Sequence, residues 1–387
     1  MSSFDVTAAR ERFPALKQRQ VHPSSLPSNL LSLNLTLSTQ SIHDYLSATN
    51  VQLGATYNVG KQTTTKFDEG YAAAAQYINA SKDEIVLGSA TTQLFRNLSY
   101  SLEFPAGSEL IISGIDHEAN IASWVALTAH QNLTIKWWKP KTKENPKLQA
   151  EDLKDLLSEK TKLVTCTHAS NILGTIHDIK AIAAAVHTVP GALLCVDAVA
   201  YAPHRRIDVK DLGVDFYAFS WYKVYGPHIS MLYASPAGLS QVHSLGHYFN
   251  PSSTLSEKLG LAGSTYELVA SLPAVVSYLP PSDLSHWSSI QKQEEALQGM
   301  LLGYLNSRPD VTICGEKDAD GSKRVSTISF VVKGRKSQDV VESVDKLIED
   351  VLGLDAKDGV IRVSMVHYNT LDEIKQLLAI FDQVLGK

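Results

Sequence analysis

Cysteine is scarce in this chain: Cys166, Cys195 and Cys314 are the only three in 387 residues. None shows the paired spacing of a zinc site or a redox motif. Cys166 and Cys195 lie inside the apolar runs KLVTC and ALLCV, where a buried thiol acting as a small hydrophobe is expected. Long apolar runs are missing too. No stretch approaches the roughly 18 uninterrupted apolar residues that would cross a bilayer. The opening MSSFDVTAARERFPAL carries charges where a secretory signal needs an apolar core. Charge of one sign is not concentrated anywhere, and the net charge is -5. With no basic stripe, a nucleic-acid partner is not expected. These absences together predict a soluble, cytoplasmic protein that engages neither nucleic acid nor membrane.

What is present is an ordinary globular composition, 44% hydrophobic and 19% charged, in a chain long enough for one large core and a smaller one. From about residue 83, short β-rich runs alternate with helical stretches. EIVLGS precedes TTQLFRNLSYSL, ELIISG precedes HEANIASWVALTAHQ, and LTIKWW precedes LQAEDLKDLLSE; TKLVTC, IKAIAAAVH, ALLCVD, VDFYAFS and ISMLYA follow. Continuous apolar strands in this rhythm predict an α/β fold, with a mostly parallel sheet sandwiched by helices. Residues 1–40 read as an N-terminal segment, 41–250 as a large domain and 251–387 as a smaller α+β domain. The smaller one has a long helix near 284–306, a strand in VSTISFVVKG and a terminal helix from Leu371.

In such sheets ligands collect beyond the carboxyl ends of the strands. The residues there are Thr91, Thr92, His117, Asn171, Asp197 and Lys223. One apolar strand ends in Asp197 and the next in Ser220, Trp221, Tyr222 and Lys223. A lysine that can hold an aldehyde as a Schiff base and a carboxylate that can keep a pyridine nitrogen protonated are what pyridoxal 5′-phosphate (PLP) requires. Taken alone, the same pair could be a turn-capping aspartate and a surface lysine. Thr91 and Thr92 open a helix directly after a strand, a setting that suits a phosphate dianion; alone, they could equally be caps.

VDAVAYAPHRRIDVKDLGVDFYAFSWYKVYGPH, DHEANIASW, SNILGTIHDI and IRVSMVHYNT together resemble the class V, fold-type I PLP-dependent aminotransferase family, in its cysteine desulfurase-like branch. The resemblance spans roughly residues 45–335 and 358–387. It implies that Lys223 anchors PLP and that Asp197 partners the pyridine nitrogen. It further implies that Thr91, Thr92, Ser220 and Tyr222 lie at the phosphate, that His117 stacks on the ring and that Asn171 contacts the phenolic oxygen. Arg362 would hold the substrate carboxylate, a task suited to its planar fork. Ser264 or Thr265 would reach the site of a second subunit in a homodimer. No metal is implied.

The sequence also departs from this family. Ala200 stands where a glutamine would contact the phenolic oxygen, and Tyr222 stands where a histidine would precede the lysine. The segment at 22–38 lacks the family's Asn-Ala turn. DVVESVDKLIEDVLGLDAKDGVIR runs through without the mobile loop that carries a desulfurase cysteine. Lacking that thiol, the chain is expected to be an aminotransferase acting at the amino group of an amino acid or amine. The alternatives are a cysteine desulfurase-like or carbon–sulfur lyase enzyme, or a catalytically impaired remnant of the fold.

Overall fold

Seven short apolar runs become one sheet: β1 Ile85–Gly88, β2 Glu109–Ser113, β3 Thr134–Trp138, β4 Thr161–Thr167, β5 Leu193–Asp197, β6 Phe216–Ser220 and β7 Ser230–Ala234. The computed structural model describes residues 4–19, 33–142, 145–246, 249, 253–341 and 359–386. Strand order is β1-β7-β6-β5-β4-β2-β3. The strands from β2 to β6 are parallel, and β7 alone is reversed, running antiparallel to both β6 and β1. Six strands therefore point their carboxyl ends to one edge.

Side chains alternate across a strand with a period of two, so each apolar run feeds two cores. Leu193 and Cys195 join one buried cluster, with Leu110, Ile112 and Phe216. Leu194 and Val196 join the other, with Ile111, Val164 and Phe219. Both faces are covered, which is why the runs are continuous rather than alternating. Cys166 and Cys195 are fully buried in the sheet, as expected.

The second cluster gathers residues distant in sequence. Phe13, Leu35, Val269, Leu272, Trp287 and Ile290 all pack on the sheet's Leu194 side. A separate cluster forms around β8 Val311–Cys314, β9 Thr327–Val332 and β10 Ile361–Ser364, an antiparallel sheet in the order β10-β9-β8. Two helices cover it. Leu297, Leu301 and Leu305 come from the helix Leu284–Asn306, and Ile374, Leu377 and Phe381 come from Leu371–Leu385. The latter helix starts at a capping box of Thr370 and Glu373, which satisfies its first amides.

The run LQAEDLKDLLSE, expected to be a full helix, forms only a 3-10 turn over Ala150–Asp155. Leu148 and Leu153 are drawn into the main core, and that packing outweighs helix propensity. Residues 22–32 of the atypical N-terminal segment and 342–358 of the run that lacks the mobile loop lie outside the described residues.

Gly174 shows how tightly the two sheets meet. Its φ is +74°, and an added Cβ would run into the Thr327 carbonyl of β9; its own carbonyl accepts from the Val325 amide. Gly174→Ala is expected to destabilise the protein by at least about 1–2 kcal/mol from the left-handed backbone alone. A melting curve measures this, and a variant as stable as the wild type would contradict the close approach.

Candidate active site

The turns that follow the strand ends at the carboxyl edge converge on a cavity of about 240 Å³. Thr91, Thr92, His117, Asn171, Asp197, Ser220, Tyr222, Lys223 and Arg362 all line it. Ser264 and Thr265 do not; both are exposed, outside the cavity lining of this chain. A larger cleft lies between the N-terminal helix and the helix Leu284–Asn306, but none of its lining residues belongs to a sheet strand.

At one end of the cavity, the helix Thr91–Ser101 begins after Ala90, whose side chain offers no cap. Its first amides are therefore available to an anion. Beside them lies a cluster of three buried hydroxyls. Thr91 Oγ1 lies 2.7 Å from Ser220 Oγ and 3.3 Å from Ser230 Oγ, and the two serines are 2.8 Å apart. Ser230 was not identified from sequence. It opens β7, the reversed strand, so its amino end lies at the edge where the others have carboxyl ends.

Lys223 follows β6 in a single 3-10 turn, Trp221–Lys223. Burial, then the Arg362 guanidinium, push its pKa down to about 8 against the opposing pull of Asp197. Its Nζ sits 5.6 Å from the centre of the Tyr222 ring, and Tyr222 in turn stacks on His228 at 5.0 Å. Asp197 ends β5, and its Oδ1 accepts from the Val199 amide at 2.9 Å. Burial raises its pKa to about 6, opposed by that amide, His117 and Lys223. A buried carboxylate in this state calls for a cationic partner.

His117 caps the short turn Glu118–Asn120, its Nδ1 accepting from the Ala119 amide at 3.1 Å. That leaves Nε2 to carry the proton in the neutral ring. Beneath it lies Asp116, also missed from sequence. It accepts from Asn120 Nδ2 at 2.6 Å and from the Thr167 amide at 3.0 Å. Burial raises its pKa to about 7, against the Ser113 hydroxyl, and the Asp197 charge adds to the rise.

Arg362 sits on β10 opposite Ser329 and donates from Nη1 to the Asn171 carbonyl at 2.9 Å. The strand that carries it thus reaches across to the turn after β4. Thr327, Ser364, Met365, Val366, Tyr368 and Asn369 complete that wall; the sequence offers no signal for Thr327, and none for the others beyond their nearness to Arg362. Ala200 also lines the cavity, with nothing beyond its Cβ to make a polar contact. No cysteine does. Among the described residues, no group of three or more histidine, cysteine or acidic side chains could hold a metal, and no helix is long and apolar enough to cross a membrane.

The donor set fits a phosphorylated pyridine aldehyde: an amine of lowered pKa, a buried carboxylate, and hydroxyls at a helix start. The aminotransferase class-V family model matches residues 36–377. The chain is 50% identical over 400 aligned residues to the aminotransferase-like protein FGM3 of Gibberella zeae, covering 99% of each. It is 42% identical to the cysteine desulfurase-like protein ustD of Aspergillus flavus, over 84% of this chain and 79% of that one. In fold it is similar to the apo cysteine desulfurase of Thermococcus onnurineus, with a TM-score of 0.85 at 22% identity over 100% of both chains. It is also similar to a variant of C-DES solved with glycine covalently linked to its PLP cofactor, with a TM-score of 0.79 at 18% identity over 97% of this chain and 99% of that one. The fold is thus fold-type I. The chain belongs to the aminotransferase class-V family, in its cysteine desulfurase-like branch, and its cofactor is pyridoxal 5′-phosphate.

Proposed function

We propose that this enzyme removes a β-substituent from a small α-amino acid without using a protein thiol as acceptor. The observation that carries the reading is a cavity holding Lys223, Asp197 and Arg362 together with no cysteine. The relatives of desulfurase-like name favour chemistry at the side chain. A persulfide route through the protein needs a reactive thiolate in the site; Cys166 and Cys195 are buried in the sheet, and burial raises both thiols well above their ordinary range. Elimination needs no such acceptor. The Cα–H and Cβ–X bonds break, X leaves with a proton, and hydrolysis of the resulting enamine gives a 2-oxo acid and ammonia. No external oxidant or reductant is consumed.

In this reading Lys223, Asp197, Thr91, Thr92, Ser220, Tyr222, His117 and Asn171 hold the cofactor. When bound, PLP supplies an electron sink for the bonds at the substrate's Cα. Lys223 moves the Cα proton, a role that its lowered pKa suits near neutral pH. Arg362 receives the substrate carboxylate in a two-donor clamp, and its bond to the Asn171 carbonyl fixes the fork. Ser264 and Thr265 serve the site of a second subunit in a homodimer.

A second reading, transamination, is the one expected from sequence. The aminotransferase-like name of the relative at 50% identity favours it, and its first proton transfer is the same. Incubating the PLP-loaded enzyme with an amino-acid panel, with and without a 2-oxo acid, separates the two. Elimination predicts 2-oxo acid and ammonia in equal amounts, with the cofactor still in its aldehyde oxidation state. Conversion of the cofactor to its amine form, reversed by a 2-oxo acid, would sink the elimination reading.

Arg362→Ala is expected to weaken α-amino acid binding by roughly 10- to 100-fold through loss of charged hydrogen bonds. Amines lacking the carboxylate should bind no worse, and PLP content should hold. Steady-state KM values for an amino acid and its decarboxylated analogue give the comparison; equal losses for both would remove Arg362 from the carboxylate role.

A further inference from the structure

A histidine that none of the assignments above uses faces the same cavity. His204 follows β5 and lines the wall with Ala200 and Pro203; the residue is only 6% exposed. Its Nδ1 lies 2.7 Å from Glu294 Oε1, and Glu294 Oε2 takes Arg205 Nη1 at 2.6 Å. Glu294 is completely buried, on the helix Leu284–Asn306. Burial acts to raise its pKa, but His204 and Arg205 outweigh that and hold it below the ordinary range. An ionised carboxylate only accepts, so Nδ1 carries a proton, and whenever the ring is neutral it is Nε2 that accepts. Arg205 is anchored in turn on the Gly321 and Arg324 carbonyls, so the dyad is held from behind.

Among the described residues no hydrogen bond reaches His204 Nε2. Nε2 is not among the fully buried unpaired atoms, so it stays accessible on the cavity side, where an occupant can donate to it. Ala200 removes the bulk that a longer side chain would place on the same wall. We infer that His204 is a further binding residue of this site, with Glu294 fixing its tautomer so that Nε2 accepts a hydrogen bond from the cavity's occupant. This rests on the cavity being the PLP and amino-acid site. The donor can belong to the cofactor, directly or through water, or to the amino acid.

Two substitutions separate this role from a structural one. His204→Asn keeps a nitrogen where Nδ1 stood, still able to donate to Glu294, and deletes the acceptor. His204→Gln places a polar atom where Nε2 stood and gives up the Glu294 bond. Full-length proteins are compared by melting temperature, by PLP affinity from absorbance titration of the apoenzyme, and by L-serine and L-alanine affinity from spectral change of the loaded enzyme. His204→Asn should melt near the wild type yet bind PLP or L-serine roughly five- to tenfold more weakly. His204→Gln should melt lower and keep binding within about threefold. A PLP effect assigns the donor to the cofactor, and an L-serine effect that spares L-alanine assigns it to the amino-acid side chain. Unchanged affinities in His204→Asn, or losses that only track melting temperature across both variants, would overturn the inference. Failure of wild-type protein to take up PLP would instead overturn the parent reading.

Discussion

Lys223→Ala is expected to abolish covalent capture of PLP and to lower turnover by about a thousandfold or more. Two tasks fall on the same amine. To take the cofactor's aldehyde it must be neutral, and its environment arranges that. With its pKa pushed down to about 8 by burial and by Arg362, about a tenth of the amine is neutral at pH 7, whereas an unperturbed lysine would have fewer than about one in a thousand. Released from the cofactor, it sits beside Asp197 and Arg362 at the same cavity and moves the Cα proton. Capture by the wild-type apoenzyme should accelerate as pH rises and level off above about pH 8. Turnover in Lys223→Ala within tenfold of wild type would show that another group does this work.

Asp197→Asn is expected to lower turnover by roughly 10² to 10³, the scale of removing one preorganised electrostatic partner, while Lys223 still captures PLP. The asparagine oxygen can keep the Val199 amide bond, so the change removes charge and little else. A stability signature accompanies it. In the apoenzyme burial raises this carboxyl to about 6, above its value of about 3.9 in an unfolded chain. The folded protein therefore binds the proton more tightly, and that stabilisation is complete below about pH 4 and is lost as pH rises through about 6. The asparagine variant should lack this decline. PLP should stabilise the wild type more than the variant at pH 7, because the bound pyridinium supplies the missing cation. Equal PLP stabilisation of both would remove Asp197 from the pyridine nitrogen.

The strands of the large sheet were legible because both faces are buried. Runs such as LLCVD have no polar alternation to hide them, and Asp197 and Lys223 could be placed at strand ends on that basis. The order of the strands was not legible. Ser230 joins Thr91 and Ser220 only because β7 runs backwards between β1 and β6, a pairing that no local pattern encodes. β8 and β10 were missed for a different reason. VTIC and IRVS have partly buried positions and too little apolar length to stand out. His204 carries no signal of its own within YAPHRR, since the carboxylate that gives it meaning, Glu294, lies on a helix far along the chain.

Everything proposed for this site depends on covalent attachment of PLP at Lys223. Loading the apoenzyme with PLP, reducing with borohydride and mapping the peptides by mass spectrometry tests it directly. One reduced PLP adduct is expected, on the peptide containing Lys223, and none in Lys223→Ala. An adduct on another lysine, unchanged in that variant, or no adduct in the wild type, would contradict it.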